Sequence, residues 1–335
     1  MKNTKKILCF ALAALILVCM AACAGTTNNE TTTAGNADAT DVTYTVGICQ
    51  LVQHSALDEA TQGFKDALTE KLGDKVTFDY QNASGENTNC TTICTQFVSD
   101  NVDLIMANAT GALAAAAAAT SDIPVVGTSI TDYASALGIT DWTGATGFNV
   151  TGASDLAPLD SQAAVVKELV PDAKTVGILY CSTESNSKYQ ADTITPHFEA
   201  LGLEVKVYTF VDSNDIISVA TQASADCDAI YTPTDNQVAS NAEAINNVLE
   251  PACVPLVAGD TGTCEKAGIA VLGINYYDIG YVAGEMAYEI LVNGKNPAEM
   301  EIRTASDVTK MYVPERCDLL GITPPEDYVD INAAE

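Results

Sequence analysis

TYTVGICQLV (43–52) followed by LDEATQGFKDALTEKL (57–72) is the stretch whose reading decides the fold. The first run is β-rich and apolar, as in a strand buried within a sheet. In the second, Leu57, Ala60, Phe64, Ala67, Leu68 and Leu72 recur at helical spacing and form one apolar face. A buried strand feeding an amphipathic helix opens a βαβ unit, and the pattern repeats downstream. Strand-like runs at 75–80 (KVTFDY), 103–108 (DLIMAN) and 123–128 (IPVVGT) alternate with helical runs at 86–99 and 111–120. Ala114 to Ala119, low in complexity, reads as a tightly packed crossover helix between two strands.

A second series begins after about residue 155. Its strands are expected at 175–181, 203–210, 228–232, 254–257 and 269–274, with helices at 160–170, 186–201, 214–225, 236–249 and 277–292. The fold class expected is α/β: two Rossmann-like, doubly wound parallel-sheet lobes of about 120 residues each, joined by a hinge. Such lobes bind ligands beyond the carboxyl ends of their strands, so two facing lobes offer a cleft between them.

Charge and composition narrow the function. The 335-residue chain carries 15 Lys and Arg against 44 Asp and Glu, a formal charge of −29. That excess argues against a nucleic-acid partner, which needs a basic footprint, and against attachment to anionic lipid by charge alone. Two histidines leave little material for histidine catalysis or a metal centre, so neither a metal nor a cofactor is expected. At 47% hydrophobic and 18% charged, the chain can bury sizeable cores and does not read as disordered.

The N-terminus carries an export signal. Lys2, Lys5 and Lys6 precede a 14-residue apolar run from Ile7 to Met20, shorter than the roughly 20 residues a bilayer span needs. The run ends in Met20-Ala21-Ala22-Cys23, which resembles a bacterial lipobox. The reading is a lipoprotein signal over 1–22, lipidation at Cys23 and a flexible tether over 23–42, rich in Gly, Ala, Thr and Asn. Cleavage discards three lysines and no acid, leaving a mature charge of −32. Eight further cysteines remain: Cys49, Cys90, Cys94, Cys181, Cys227, Cys253, Cys264 and Cys317. Cys49 and Cys181 sit in apolar strands, where cysteine acts as a small hydrophobe, and Cys90 and Cys94 are spaced to share a helix face. Cys253 and Cys264 form the one pair worth testing as a disulfide, and no C-x-x-C motif is present.

The segments VGICQLVQHSALDEATQGFKDAL, YQNASGE, VDLIMANATGALAAA, SDIPVVGTSITDY, GFNVTGASD and DAIYTPTDN occur in that order, followed by LVAGDTGTCEKAGIAVLGINYYDIG. This ordered set resembles the substrate-binding proteins of ABC transporters in the tryptophan/tyrosine (TrpX-like) group, over about residues 43 to 330. The resemblance implies a periplasmic-binding-protein-like fold of type I, with an N-lobe at 43–152 plus 276–298 and a C-lobe at 153–275 plus 299–330. It also implies capture of a small solute and its delivery to an ABC permease with a cytoplasmic ATPase, without chemistry on the ligand. A monomer anchored outside the cytoplasm is expected. The chain is richer in Cys and acids than the group suggests.

A zwitterionic amino acid needs donors for its carboxylate, acceptors for its ammonium and a pocket for its side chain. Ala109 and Thr110 after the third strand, and Thr128, Ser129 and Thr131 after the fourth, lie where helix N-termini and hydroxyls would hold the carboxylate. Thr110 and Thr131 are equally candidates for simple helix caps. Asp235, in TPTDN, and Asp260, in GDT, are the candidate ammonium acceptors; one of them is expected to serve, since a buried unpaired carboxylate is costly. Gln53 and His54 follow the first strand, and Glu184 and Asn186 follow the strand ending at Cys181. Ser84 in YQNASGE and Asn236 complete the candidate set. Tyr133, Trp142, Tyr180, Tyr231, Tyr276 and Tyr277 could wall an aromatic ligand or serve as core and hinge residues.

Enzymatic readings find no support: G-x-S-x-G, H-E-x-x-H and the P-loop pattern are all absent. A LacI-type regulator would carry a basic helix-turn-helix where this chain has a lipobox and tether. A sensory binding protein, and ligands such as branched-chain amino acids, nucleosides or sugars, stay open.

Overall fold

In the computed structural model the described residues are 42–304 and 308–333; the expected signal, the tether up to residue 41 and Cys23 lie outside them. The first sheet is built from β1 (Tyr44–Gln50), β2 (Val76–Asn82), β3 (Leu104–Asn108), β4 (Val125–Ile130), β5 (Val150–Ser154) and the short β11 (Arg303–Thr304). Its strand order is β11-β5-β4-β3-β1-β2, and every pairing is parallel. Helices α1 (Ser55–Leu72), α2 (Asn87–Asp100), α3 (Thr110–Ala119) and α4 (Tyr133–Leu137) connect these strands. The predicted βα rhythm is realised because buried apolar strands must be covered on both faces. Thus β3 and β4 are buried along their whole length, and α1 buries Leu57, Ala60, Phe64, Ala67 and Leu68.

The second sheet has the order β13-β12-β10-β9-β8-β6-β7. It uses β6 (Thr175–Cys181), β7 (Glu204–Phe210), β8 (Ala229–Thr232), β9 (Leu256–Ala258), β10 (Ala270–Ile274), β12 (Val308–Tyr312) and β13 (Val329–Asp330). Its helices are α5 (Leu159–Leu169), α6 (Ser185–Ala200), α7 (Ile216–Asp226), α8 (Asn236–Ser240), α9 (Ala242–Ala252), α10 (Thr261–Ala267) and α12 (Pro314–Leu320).

Several details depart from the pattern reading. The helix expected over 236–249 is two helices: Asn241 leaves helical geometry at φ −116° and ψ 16°, and its side chain turns back to the Gln237 carbonyl. The second sheet is not purely parallel, because β12 runs antiparallel to β10. The stretch 299–330, assigned to the second lobe, begins in the first: Arg303–Thr304 pair with Ala153–Ser154 of β5. A two-residue strand carries no periodicity by which a sequence could assign it. Cys253 is exposed and Cys264 buried, and both are free thiols, so the disulfide considered for them is absent.

Helix α11 (Tyr276–Leu291) follows β10 of the second sheet yet packs on α1, β4 and β5 of the first. The α1–α11 crossing is close because glycines face backbone: a Cβ on Gly280 would lie 1.9 Å from the Ala60 carbonyl oxygen, and one on Gly63 2.1 Å from that of Tyr277. The crossing sheathes a core of Val46, Ile48, Phe64, Leu68, Leu104, Met106 and Ile279.

Candidate functional site

The carboxyl ends of the two sheets face one another, and what lies between them follows from how each strand ends. On the first sheet, β4 closes with a shift in its register to β5 between Gly127 and Ile130, and there Ser129 adopts φ +57°. A non-glycine residue in this left-handed region carries strain, which a fold retains where the surroundings demand a particular direction of the side chain. Ser129 lines a small cavity together with His54, Leu57, Thr131 and Asp155 from the first lobe and its exit. Asn186, Thr234, Asp235, Asn236, Ala239 and Asp260 close it from the second, and Tyr276 completes it from the start of α11. His54 Nε2 and Asn236 Oδ1 meet at 3.3 Å across the gap. The Ser55 hydroxyl stands 2.3 Å from where a Gly262 side chain would begin, so the two lobes are in contact here.

Three buried carboxyl groups line this space. Asp155 follows β5 and accepts hydrogen bonds from the Thr131 hydroxyl (3.2 Å) and the Tyr276 hydroxyl (3.1 Å). Burial pushes its pKa up to about 6 against the pull of these two donors. Asp260 is the N-cap of α10, accepting from the Thr263 backbone N–H (2.8 Å) and hydroxyl (2.7 Å). Burial raises its pKa too, while nearby His54 opposes the shift. Asp235 is the N-cap of α8: one oxygen accepts from the Val238 N–H (2.8 Å), the other from the Cys181 N–H (2.7 Å). Burial first, then the neighbouring Glu184, raise it to about 8. No Lys or Arg lines the cavity among the described residues. Two polar atoms on its walls, Ser129 Oγ and His54 Nδ1, are buried without a partner in the protein.

An outer groove of about 790 Å³, open to solvent, adjoins the cavity through Asn186. Thr110, Gly111, Ala114, Ala115 and Ala118 of α3 form one wall, and Thr183, Glu184 and Ser185 part of the other. The structure therefore divides the predicted set. His54, Ser129, Thr131, Asn186, Asp235, Asn236 and Asp260 converge on the inner cavity; Thr110, Glu184 and again Asn186 line the groove. Glu184 is occupied by α8, accepting from the Asn236 N–H (3.1 Å), the Asn236 amide (2.7 Å) and the Gln237 N–H (3.0 Å). Gln53 and Ser84 are exposed outside both spaces; Ala109 is the buried residue at φ +87° before α3, and Thr128 is fully buried in β4.

Of the six aromatic candidates, Tyr276 alone lines the inner cavity. Tyr133 donates to the Ala153 carbonyl and Tyr231 to Gln162 inside their lobes, while Trp142 and Tyr277 are surface residues. The residue that sequence reasoning missed is Asp155. Its signal was present, as an acid directly after a strand in GFNVTGASD, the context that singled out Asp260.

Residues 45–334 match the family model described as ABC transporter substrate binding protein. The chain is 34% identical over 321 residues to a tyrosine-binding protein of Clostridioides difficile (strain R20291), covering 94% of this chain and 92% of that one. Among solved structures, an ABC domain from Streptococcus pneumonia in complex with L-Trp superposes with a TM-score of 0.81 at 32% identity, over 85% of this chain and 96% of that chain. The ligand-free, open structure of a substrate-binding protein with adhesive properties from Clostridium difficile gives 0.66 at 34% identity, over 86% and 99%. With two α/β lobes of the periplasmic-binding-protein type I architecture and matches of this extent, the chain belongs to the ABC transporter substrate-binding proteins, in their tryptophan/tyrosine group, and is a binding protein rather than an enzyme.

Proposed function

We propose that the protein is a lipid-anchored receptor that closes its two lobes around one aromatic L-amino acid, tyrosine or tryptophan, and hands it to an ABC permease outside the cytoplasm. The observation that carries the ligand class is the inner cavity. It presents buried carboxyl groups with no Lys or Arg among the residues that line it, and a buried Ser129 hydroxyl with no acceptor. A zwitterion supplies both missing partners. A buried carboxylate is costly unless paired, and an ammonium offsets that cost.

Within the cavity, Asp155 is the ammonium acceptor. Its oxygens are held by hydroxyls from two different elements, whereas those of Asp235 are taken by the backbone N–H groups of Val238 and Cys181 and those of Asp260 by the helix that it caps. Ser129 Oγ, the buried hydroxyl without a partner, donates to the carboxylate. Two relatives support an aromatic side chain: one is named for binding tyrosine and another was solved with L-Trp. The higher superposition score with the L-Trp complex than with the ligand-free open structure, at similar identity, supports reading these lobes as closed. Closure around ligand follows when the closed state binds it better.

The test is a thermal-shift and calorimetric screen of the protein against L-tyrosine, L-tryptophan, L-phenylalanine, L-leucine, nucleosides and sugars. At about 100 times its dissociation constant the true ligand adds ~2.7 kcal/mol of stability. A shift with a nucleoside or sugar and none with an aromatic amino acid would overturn the specificity. The anchor is tested separately: labelled fatty acid should be incorporated by the wild type and lost in Cys23→Ala. No helix among the described residues is long and apolar enough to cross a membrane.

A further inference from the structure

Three thiols meet in the core of the first lobe, away from the cavity. Gly47 and Cys49 stand two residues apart on the same face of β1, and Cys90, Cys94 and Phe97 recur along the inner face of α2. A Cβ on Gly47 would fall 2.6 Å from the Phe97 ring, so that ring occupies the place of the missing side chain and α2 lies close on the strand. The close approach at Gly47 carries Cys90 and Cys94, one and two turns earlier on α2, over Cys49. All three cysteines are 0% exposed, belong to one core cluster and are free thiols. Cys49 lies near enough to both helix thiols that they, together with burial, push its pKa up.

We propose that this trio is a cross-linking site, at which Cys49 forms a disulfide with Cys90 or Cys94 when a small-molecule disulfide oxidises the protein. The step is two exchanges. One protein thiolate attacks a sulfur of the small disulfide and releases one small thiolate. The second protein thiolate then attacks the protein sulfur of the mixed disulfide and releases the other. Two protein thiols lose two electrons, the oxidant becomes two thiols, and the two protons pass to those products. Because the thiols are buried and Cys49 is held protonated, the reaction waits on local opening of α2. The bond would tie the strand leading to His54 to the helix that begins at Asn87 in the groove wall.

The experiment is to incubate the reduced full-length protein with oxidised glutathione, block the remaining thiols with iodoacetamide and map the peptides by mass spectrometry. The expected result is a Cys49 peptide joined to the peptide carrying Cys90 and Cys94, with a loss of two hydrogens, reversed by dithiothreitol. Cys49→Ala should abolish the link, and Cys90→Ala and Cys94→Ala should show which helix thiol takes it. Full alkylation of Cys49, Cys90 and Cys94 after oxidation would overturn the proposal. So would a Cys90–Cys94 bond, or linkage of these residues to other cysteines. Mapping the wild type decides the matter even where a variant fails to fold.

Discussion

Asp155 lies at the end of β5, where the chain leaves the first sheet, and Tyr276 lies where it returns, so their hydrogen bond joins two passages between the lobes. If Asp155 pairs with the ligand ammonium, Asp155→Asn should weaken binding of L-tyrosine or L-tryptophan at least tenfold by calorimetry, in line with the ~1.5–3 kcal/mol of a hydrogen bond to a charged group. The folded-state pKa is raised from 3.8 to about 6, so the folded protein holds this proton more tightly than the unfolded chain does. Its contribution to ligand-free stability is therefore full below about pH 3.8 and is lost as pH rises through about 6. Ligand binding needs the ionised form and runs the other way: affinity should fall as pH drops below about 6, and this dependence should be missing in Asp155→Asn. An unchanged pH profile in that variant would remove the ammonium assignment. Asp235 gives the contrast. Asp235→Asn sets an amide against two backbone N–H groups that both require an acceptor, those of Val238 and Cys181. A stability loss of about 1–3 kcal/mol in urea is expected, with affinity for the amino acid largely kept once the protein is folded.

At the scale of elements, the α1–α11 crossing holds the returning chain on the first lobe. A side chain at Gly280 meets the Ala60 backbone rather than a movable side chain, so Gly280→Val should cost roughly 1–3 kcal/mol or more through overpacking. The check is a lower urea midpoint with an unchanged slope. The βα alternation was legible because buried strands and amphipathic helices have different periods, 2.0 and 3.6. What escaped were short or interrupted elements: the α8–α9 break at Asn241, the seven-residue α10, and β11, which exists only through its pairing with β5. The same limit applied to the site. Acids after strands were visible at 235 and 260, but that both cap helices is a matter of backbone geometry.

For the whole molecule, the two lobes meet through His54 and Asn236 and through Ser55 against α10. Small-angle scattering should show a larger radius of gyration without ligand than with saturating L-tyrosine or L-tryptophan; equal radii would discard ligand-driven closure. The excess of acids, 44 against 15 basic residues, would keep the proposed lipid-anchored receptor from binding anionic lipid through its own charge. Sequence by itself determined the two α/β lobes, the non-enzymatic binding role and the strand ends at which a site would form, because periodicity and ordered local motifs are properties of contiguous residues. Only the tertiary structure decided which polar groups are left without partners. Ser129 Oγ and His54 Nδ1 are buried without a partner, and they line one cavity with Asp155, which Thr131 and Tyr276 hold, because the fold brings together strand ends far apart in the chain.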